Sequence, residues 1–212
     1  IMLDTYWWGV VDRISPEAPV PIVSLQKKEL RVGGAANVAL NLRALGAPTT
    51  IFAVIGKEQE GDDLMGLLNK EGINTKYIIG SDTRVTTNKV RVMGRNQQMM
   101  RLDHEQTDDI SQAEELALLK AFYQYVDAET PSLIILEDYN KGVLTEGVIK
   151  GVIAYCKEKG IPCNECPECM SKSYESDNED EDKWDNMQKA CWNGYTQRGM
   201  KEKNGRMVPN CV

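Results

Sequence analysis

Two short apolar runs set the limits of what this chain can build. Ile51-Phe52-Ala53-Val54-Ile55 ends at Gly56, and Leu133-Ile134-Ile135-Leu136 ends at the acid pair Glu137-Asp138. Each is apolar on successive residues and too short for an ordinary helix, the pattern of a strand buried on both faces. Helical patterns lie between and after them. Residues 60–71 put Leu64, Leu67 and Leu68 on one face and stop at Gly72. Ser111 and Glu114 form an S-x-x-E capping box that opens a helix to about Asp127, with Leu116, Leu119, Phe122 and Tyr123 as its apolar face. Thr145 to Lys159 reads as another helix, closed by Gly160, and 77–79 as a further short strand. Strands alternating with helices over short loops predict an α/β fold, a parallel sheet with helices on both faces.

Two stretches break that rhythm. Val20-Pro21-Ile22-Val23-Ser24-Leu25 is extended and proline-marked. Residues 85–93 alternate with no helix after them, and Met99 to Asp103 are placed to pair with them. Alternation with one polar face predicts a small, partly solvated side sheet over about 10–25 and 85–103. An ordinary edge hairpin fits the same pattern.

Composition narrows the class. The 212 residues are 42% apolar and 27% charged, enough for one ordinary domain, or one domain plus an appendage. A net charge of −7 argues against a broad basic surface for nucleic acid. No run of about 18 apolar residues suggests a membrane span. Ile1-Met2-Leu3-Asp4 lacks the basic and apolar regions of a signal peptide and reads as the end of a strand whose beginning is missing. Of six cysteines only Cys156 precedes residue 163, which excludes distributed disulfides from the first three quarters and reads as a cytoplasmic protein.

The chemically informative loop is Arg31-Val32-Gly33-Gly34-Ala35-Ala36-Asn37-Val38-Ala39. Two glycines let backbone approach a ligand, and the helix that follows, to about Leu45, begins with free N–H groups suited to sugar hydroxyls or an anion. Asn37 adds a donor and an acceptor. A tight turn into a buried helix accounts for the same residues without a ligand.

Gly33 to Ala39, with Gly46 and Gly56 at their spacings, resembles the first signature of the ribokinase-like (PfkB) carbohydrate kinases. Further blocks narrow the likeness: Met2 to Gly9, Arg13 to Pro21, Arg95-Asn96-Gln97-Gln98 with Arg101-Leu102-Asp103, and Asp138-Tyr139-Asn140-Lys141-Gly142-Val143-Leu144. Together, over residues 1–162, they resemble the kinase domain of the bacterial heptose 7-phosphate kinases joined to ADP-heptose synthases. The resemblance implies transfer of the ATP γ-phosphoryl, with Mg²⁺, to the anomeric hydroxyl of D-glycero-D-manno-heptose 7-phosphate, toward lipopolysaccharide. It implies Asp4, Gly33, Gly34 and Asn37 at the sugar and Asp138 at the end of a core strand beside it. It also implies a β lid that makes a homodimer contact. Lys89, Arg95, Asn96, Arg101 and Lys141 are candidates for the substrate phosphate, since a dianion calls for charged or forked donors. Solvated lid charges are the plainer account of the cations, and a turn or helix cap that of Asp138. Trp7 and Trp8 read as lid packing, and His104, the only histidine, as non-catalytic. Glu137 stands where the family usually has a small residue.

After Pro162 the likeness stops. The family's Gly-Ala-Gly-Asp loop, which carries its general base, is absent, so the chain as given is expected to be catalytically inactive. Residues 163–212 read as a separate, irregular, cysteine-rich acidic tail, with seven acids and one lysine between Glu175 and Asp185. Cys191 to Cys211 resembles a recurrent segment of phage virion-associated proteins. Cys163, Cys166 and Cys169, with Cys191 or Cys211, have the makings of a thiolate zinc site; disulfides and free thiols are the alternatives. The rival to the kinase reading is a non-catalytic sugar-phosphate-binding or phage-associated structural protein, or a non-functional chimera.

Overall fold

The computed structural model describes residues 1–95 and 97–163, and the backbone of 197–203 and 206–211. The larger sheet holds four strands in the order β2-β1-β5-β6: β1 (Met2–Ile14), β2 (Pro21–Gly33), β5 (Asn88–Gly94) and β6 (Gln97–His104). β1 runs antiparallel to β2 and parallel to β5, and β6 returns antiparallel beside β5. The expected side sheet is therefore real and separate, but it reaches further than 10–25 and 85–103. β1 starts at Met2 and β2 runs on to Gly33, because the apolar start of β1, Met2 and Leu3, is buried in the body. Shifts of register in the β1–β2 pair, at Trp8/Gly9 and Val11/Arg13, bend its far half.

The body begins with α1 (Ala35–Ala44), then β3 (Thr50–Gly56), α2 (Gln59–Lys70) and β4 (Asn74–Ser81), with β3 and β4 paired in parallel. α3 (Gln112–Glu129) and α4 (Glu146–Lys159) complete it. The capping box of α3 forms as read: the Glu114 N–H donates to Ser111 Oγ at 3.3 Å and the Ser111 N–H to Glu114 Oε2 at 2.8 Å. Thr145 caps α4 through the Val148 N–H at 3.1 Å, and Gly160 ends it in the left-handed conformation.

Residues of β3 alternate between two cores. Ile51, Ala53 and Ile55 pack with Ala36 and Ala39 of α1 and Leu64 and Leu68 of α2. Val54 faces the other way, onto Leu118, Phe122 and Val126 of α3 and Val148 and Val152 of α4. Helices thus cover both faces, as the alternating pattern predicts. Two details differ. The apolar stripe of α3 is Leu118-Phe122-Val126, spaced by four, while Leu116 is 61% exposed. Leu133–Leu136 does not form a full core strand: Ile134 makes one parallel bridge to Cys163, and Leu133 is 47% exposed.

Two further strands, β7 (Gln197–Lys203) and β8 (Arg206–Cys211), pair antiparallel, a hairpin where the sequence suggests no regular element.

Candidate functional site

The turn from β2 into α1 is shaped by contact. Gly34 has φ 58°, ψ −137°, a region left to glycine, and a Cβ there would lie 2.8 Å from Met2 Cε. A Cβ on Gly33 would lie 2.7 Å from Asp4 Oδ2. The double glycine therefore lets the Asp4 carboxylate rest against the backbone that opens α1. Asn37 stands exposed in the first turn of α1, its N–H donating to the Gly34 carbonyl at 2.9 Å.

Strand register gathers charge around Asp4. Lys89 of β5 and Arg31 of β2 stand opposite Asp4; Arg91 stands opposite Tyr6; Asp103 stands opposite Lys89 and Arg101 opposite Arg91. Directly opposed residues and those two apart share a face, so these side chains form one charged face of the sheet. Arg91 donates to Asp4 Oδ1 at 2.7 Å, and the Arg31 and Arg91 guanidiniums lie over the Tyr6 ring at 4.6 and 5.2 Å. Tyr6 in turn stacks on Trp8, with ring centroids 6.0 Å apart, which places Trp8 in packing.

A carboxylate joins this face to the body. Glu105 accepts from Lys89 at 2.9 Å and from Lys141 at 3.3 Å, and Lys89 also donates to Asp103 at 3.0 Å. The hydrogen bond from Lys89 holds the Glu105 carboxyl below the usual carboxylate range, against its partial burial, with help from Lys141. Burial opposes the charge on Lys89, but its bonds to Glu105 and Asp103 outweigh that and raise its pKa. Arg101 grips Asp103 with two bonds of 2.7 and 2.9 Å.

The loop after Ile134 supplies the other wall. Asp138 is exposed and accepts the Asn140 N–H at 2.6 Å, the turn-capping role open to it from sequence. Arg84 secures the loop by donating to the Lys141 and Asp108 carbonyls at 2.8 and 2.7 Å. Glu137, Asp138 and Lys141 are among the residues lining a cavity of about 620 Å³ that also reaches Ala35 and Val38 of α1.

Asp4, Gly33, Lys89, Arg101 and Lys141 thus join in one continuous network, with Gly34 packed beside it on Met2. Asn37 and Asp138 belong to the two elements that flank the cavity. Arg95 does not join them. It pairs with Asp12 at 3.1 Å on the exposed turn after β5, opposite Gly9, about 16 Å along β1 from Asp4 at ~3.3 Å per residue. Asn96 lies outside the described residues. Sequence reading missed Arg91, Arg31 and Glu105. For Arg91 the available signal was its i+2 spacing from Lys89 on an alternating strand.

No group of three or more His, Cys, Asp or Glu side chains able to hold a metal occurs among the described residues. Cys166, Cys169 and Cys191 lie outside them. Cys163 is fully buried and hydrogen-bonds with Cys156, whose thiol that contact and burial push up. A metal ligand must be a thiolate, so this placement speaks against Cys163 in a zinc site. Among the described residues no helix is long and apolar enough to cross a membrane.

A model of the pfkB family carbohydrate kinases matches residues 2–162. Bifunctional protein HldE of Methylobacillus flagellatus is 48% identical over 162 residues, 76% of this chain and 33% of that protein. The HldE protein of Coxiella burnetii is 45% identical over the same length, with the same shares covered. The chain thus spans about a third of the length of the curated relatives it matches. Escherichia coli phosphofructokinase-2 in complex with fructose-6-phosphate is similar in structure, with TM-score 0.54 at 19% identity over 76% of this chain and 50% of that one. Arabidopsis thaliana ribokinase complexed with ribose and ATP gives 0.51 at 15%, over 76% and 49%. These likenesses establish a ribokinase-like α/β fold, and with the sequence match over residues 2–162 the chain belongs to the pfkB family of carbohydrate kinases.

Proposed function

We propose that residues 1–162 are the sugar-binding part of a cytoplasmic kinase domain acting on D-glycero-D-manno-heptose 7-phosphate, which takes its anomeric phosphate from ATP on the way to ADP-heptose. The observation that carries the reading is the Asp4 carboxylate, held by Arg91 on one oxygen and set with the other against Gly33. A fixed acceptor beside a bare backbone suits vicinal hydroxyls. Lys89, Arg101 and Lys141, on the same network, supply donors for a phosphate, which would compete with Asp103 and Glu105 for them. Asn37 and Asp138 extend the polar lining from α1 and from the loop opposite.

The residues present do not fit the ATP·Mg²⁺ half of the reaction. The sequence has no Gly-Ala-Gly-Asp, and the described residues hold no carboxylate cluster for the ion. The chain as given therefore binds the sugar phosphate without turning it over, and Cys163, read as the first residue of the tail, belongs to the body. We further propose that the four-stranded sheet pairs two copies. β6 is an edge strand exposed along its whole length, with Met99, Met100 and Leu102 open to solvent.

Calorimetric titration of the full chain with heptose 7-phosphate is the test. Binding should weaken at least tenfold in Asp4→Asn, and ADP release with ATP and Mg²⁺ should stay at the buffer blank. Binding unchanged by Asp4→Asn refutes the site, and sustained turnover refutes the inactivity. Sedimentation of Leu102→Lys as a dimer would refute the pairing.

A further inference from the structure

Two thiols of the core take no part in the site described above. Cys156, in the last turn of α4, and Cys163 are both fully buried, in one cluster with Val152 and Ile161, and neither is in a disulfide. Their side chains are in hydrogen-bond contact. The chain between them is short and pinned at both ends. Gly160 turns it in the left-handed conformation, φ 68°, and the Ile161 N–H donates to the Cys156 carbonyl at 2.9 Å. Beyond the turn the Ile134 N–H donates to the Pro162 carbonyl at 2.9 Å, and Ile134 bridges Cys163 in parallel. The two sulfurs therefore meet where the end of α4 is joined to the segment that Ile134 rests on.

We propose that Cys156 and Cys163 form a reversible disulfide, made by exchange with a small-molecule disulfide, that latches the end of α4 to the segment beside Ile134. Geometry selects this pair. A disulfide needs Cβ atoms ~3.5–4.5 Å apart, and thiols already in contact have only to close to the ~2.0 Å of the covalent bond. Burial sets the timing. Attack on a disulfide needs a thiolate, and neither sulfur meets water in the closed protein. When residues 160–163 open, Cys163 regains an ordinary thiol pKa of ~8.5 and attacks the small disulfide, releasing one small thiol. As the segment recloses, the Cys156 sulfur attacks the Cys163 sulfur and displaces the second. Two protein thiols are oxidised, the small disulfide is reduced to two thiols, and the two protons end on those thiols. In a reducing compartment such a pair is a sensor rather than a permanent brace. The inference is independent of the sugar reading, since neither cysteine lines the cavity or belongs to the charged face around Asp4.

The test is made on the full chain. It is equilibrated with reduced and oxidised glutathione at a series of ratios, quenched with N-ethylmaleimide, and digested with trypsin and a glutamate-directed protease. Cleavage after Lys150, Lys157, Lys159 and Glu165 leaves Cys156 and Cys163 on separate peptides, each with no other cysteine. The two peptides should be joined as the glutathione is oxidised and part when it is reduced again. In the oxidised protein the Ile134 and Ile161 amides should exchange at least ~10-fold more slowly than in the reduced one. In Cys156→Ala the same treatment should leave them at the reduced rate. The peptide map uses the unaltered chain, so it decides the matter even where Cys156→Ala does not fold. Cys156 joined to Cys166, Cys169, Cys191 or Cys211 in place of Cys163 overturns the proposal. So do both peptides remaining alkylated in fully oxidised glutathione, or equal slowing in Cys156→Ala.

Discussion

Two glycines with the same positive φ provide a controlled experiment on how the 138–144 loop is held. Gly142 and Gly160 both have φ 68°. Placing alanine in the left-handed region costs ~1–2 kcal/mol at either position. At Gly160 nothing lies within 4 Å of the new Cβ, so that cost is the whole effect. At Gly142 the Cβ would overlap the Asp108 carbonyl oxygen and lie 2.9 Å from Asp109 Cα. Both are backbone atoms, so no side chain can swing aside and the loop must retreat. Retreat breaks the Ile110 N–H bond to the Gly142 carbonyl, 2.8 Å, and pulls apart the two carbonyls that Arg84 grips. Losing one neutral bond removes ~1 kcal/mol and one charged donor bond ~1.5–3 kcal/mol. Gly142→Ala should therefore cost about 3–6 kcal/mol, against ~1–2 for Gly160→Ala, in urea unfolding followed by circular dichroism. The first is a large share of the ~5–15 kcal/mol that holds a domain together. Because Lys141 and Asp138 ride on this loop, Gly142→Ala should also weaken sugar-phosphate binding, and Gly160→Ala should not. Equal losses of stability in the two variants would refute the docking argument.

Other expectations follow from the same geometry. The Glu105 carboxyl lies below its ordinary 4.5, so its tether to Lys89 and Lys141 is complete above that pH and is lost as pH falls through the depressed value. Glu105→Gln should accordingly flatten the acid side of a melting-temperature profile, and an unchanged profile would count against the tether. Leu64 is fully buried between α2 and β3, and Leu64→Ala should lower unfolding free energy by about 2–5 kcal/mol. Ser111→Ala removes the cap of α3 and should cost about 1 kcal/mol in the same assay, with no effect on ligand titration.

What could be read in advance had local causes. The capping box at Ser111 and the stop at Gly160 each depend on residues within four or five positions, and each stands where the sequence places it. The charged face around Asp4 was only half legible. Lys89 and Arg101 can be named from their blocks, but Arg91 becomes a partner of Asp4 only through the β1–β5 pairing, which joins residues 87 apart. No local period carries that register. Leu133–Leu136 shows the opposite failure. Its apolar run is what an interior strand looks like, yet strand character needs neighbours on both edges, and here one edge opens on the cavity. Of the stripe read for α3, Phe122 lies in the core and Leu119 and Tyr123 pack against it, but Leu116, which fits a helical period as well as Leu118 does, is exposed. Only the packed partner decides between them.

The alternation along β3 has a consequence for how the molecule comes apart. With Ile51, Ala53 and Ile55 serving one helical layer and Val54 the other, cooperativity between the layers has to pass through this strand and β4. Each layer is then a candidate foldon with its own opening free energy. Native-state hydrogen exchange should sort the helical amides into two families, α1 with α2 and α3 with α4. Val54→Ala should lower protection in the second family more than in the first. Damage to one side of β3 would then leave a half-folded chain whose remaining layer still protects its amides.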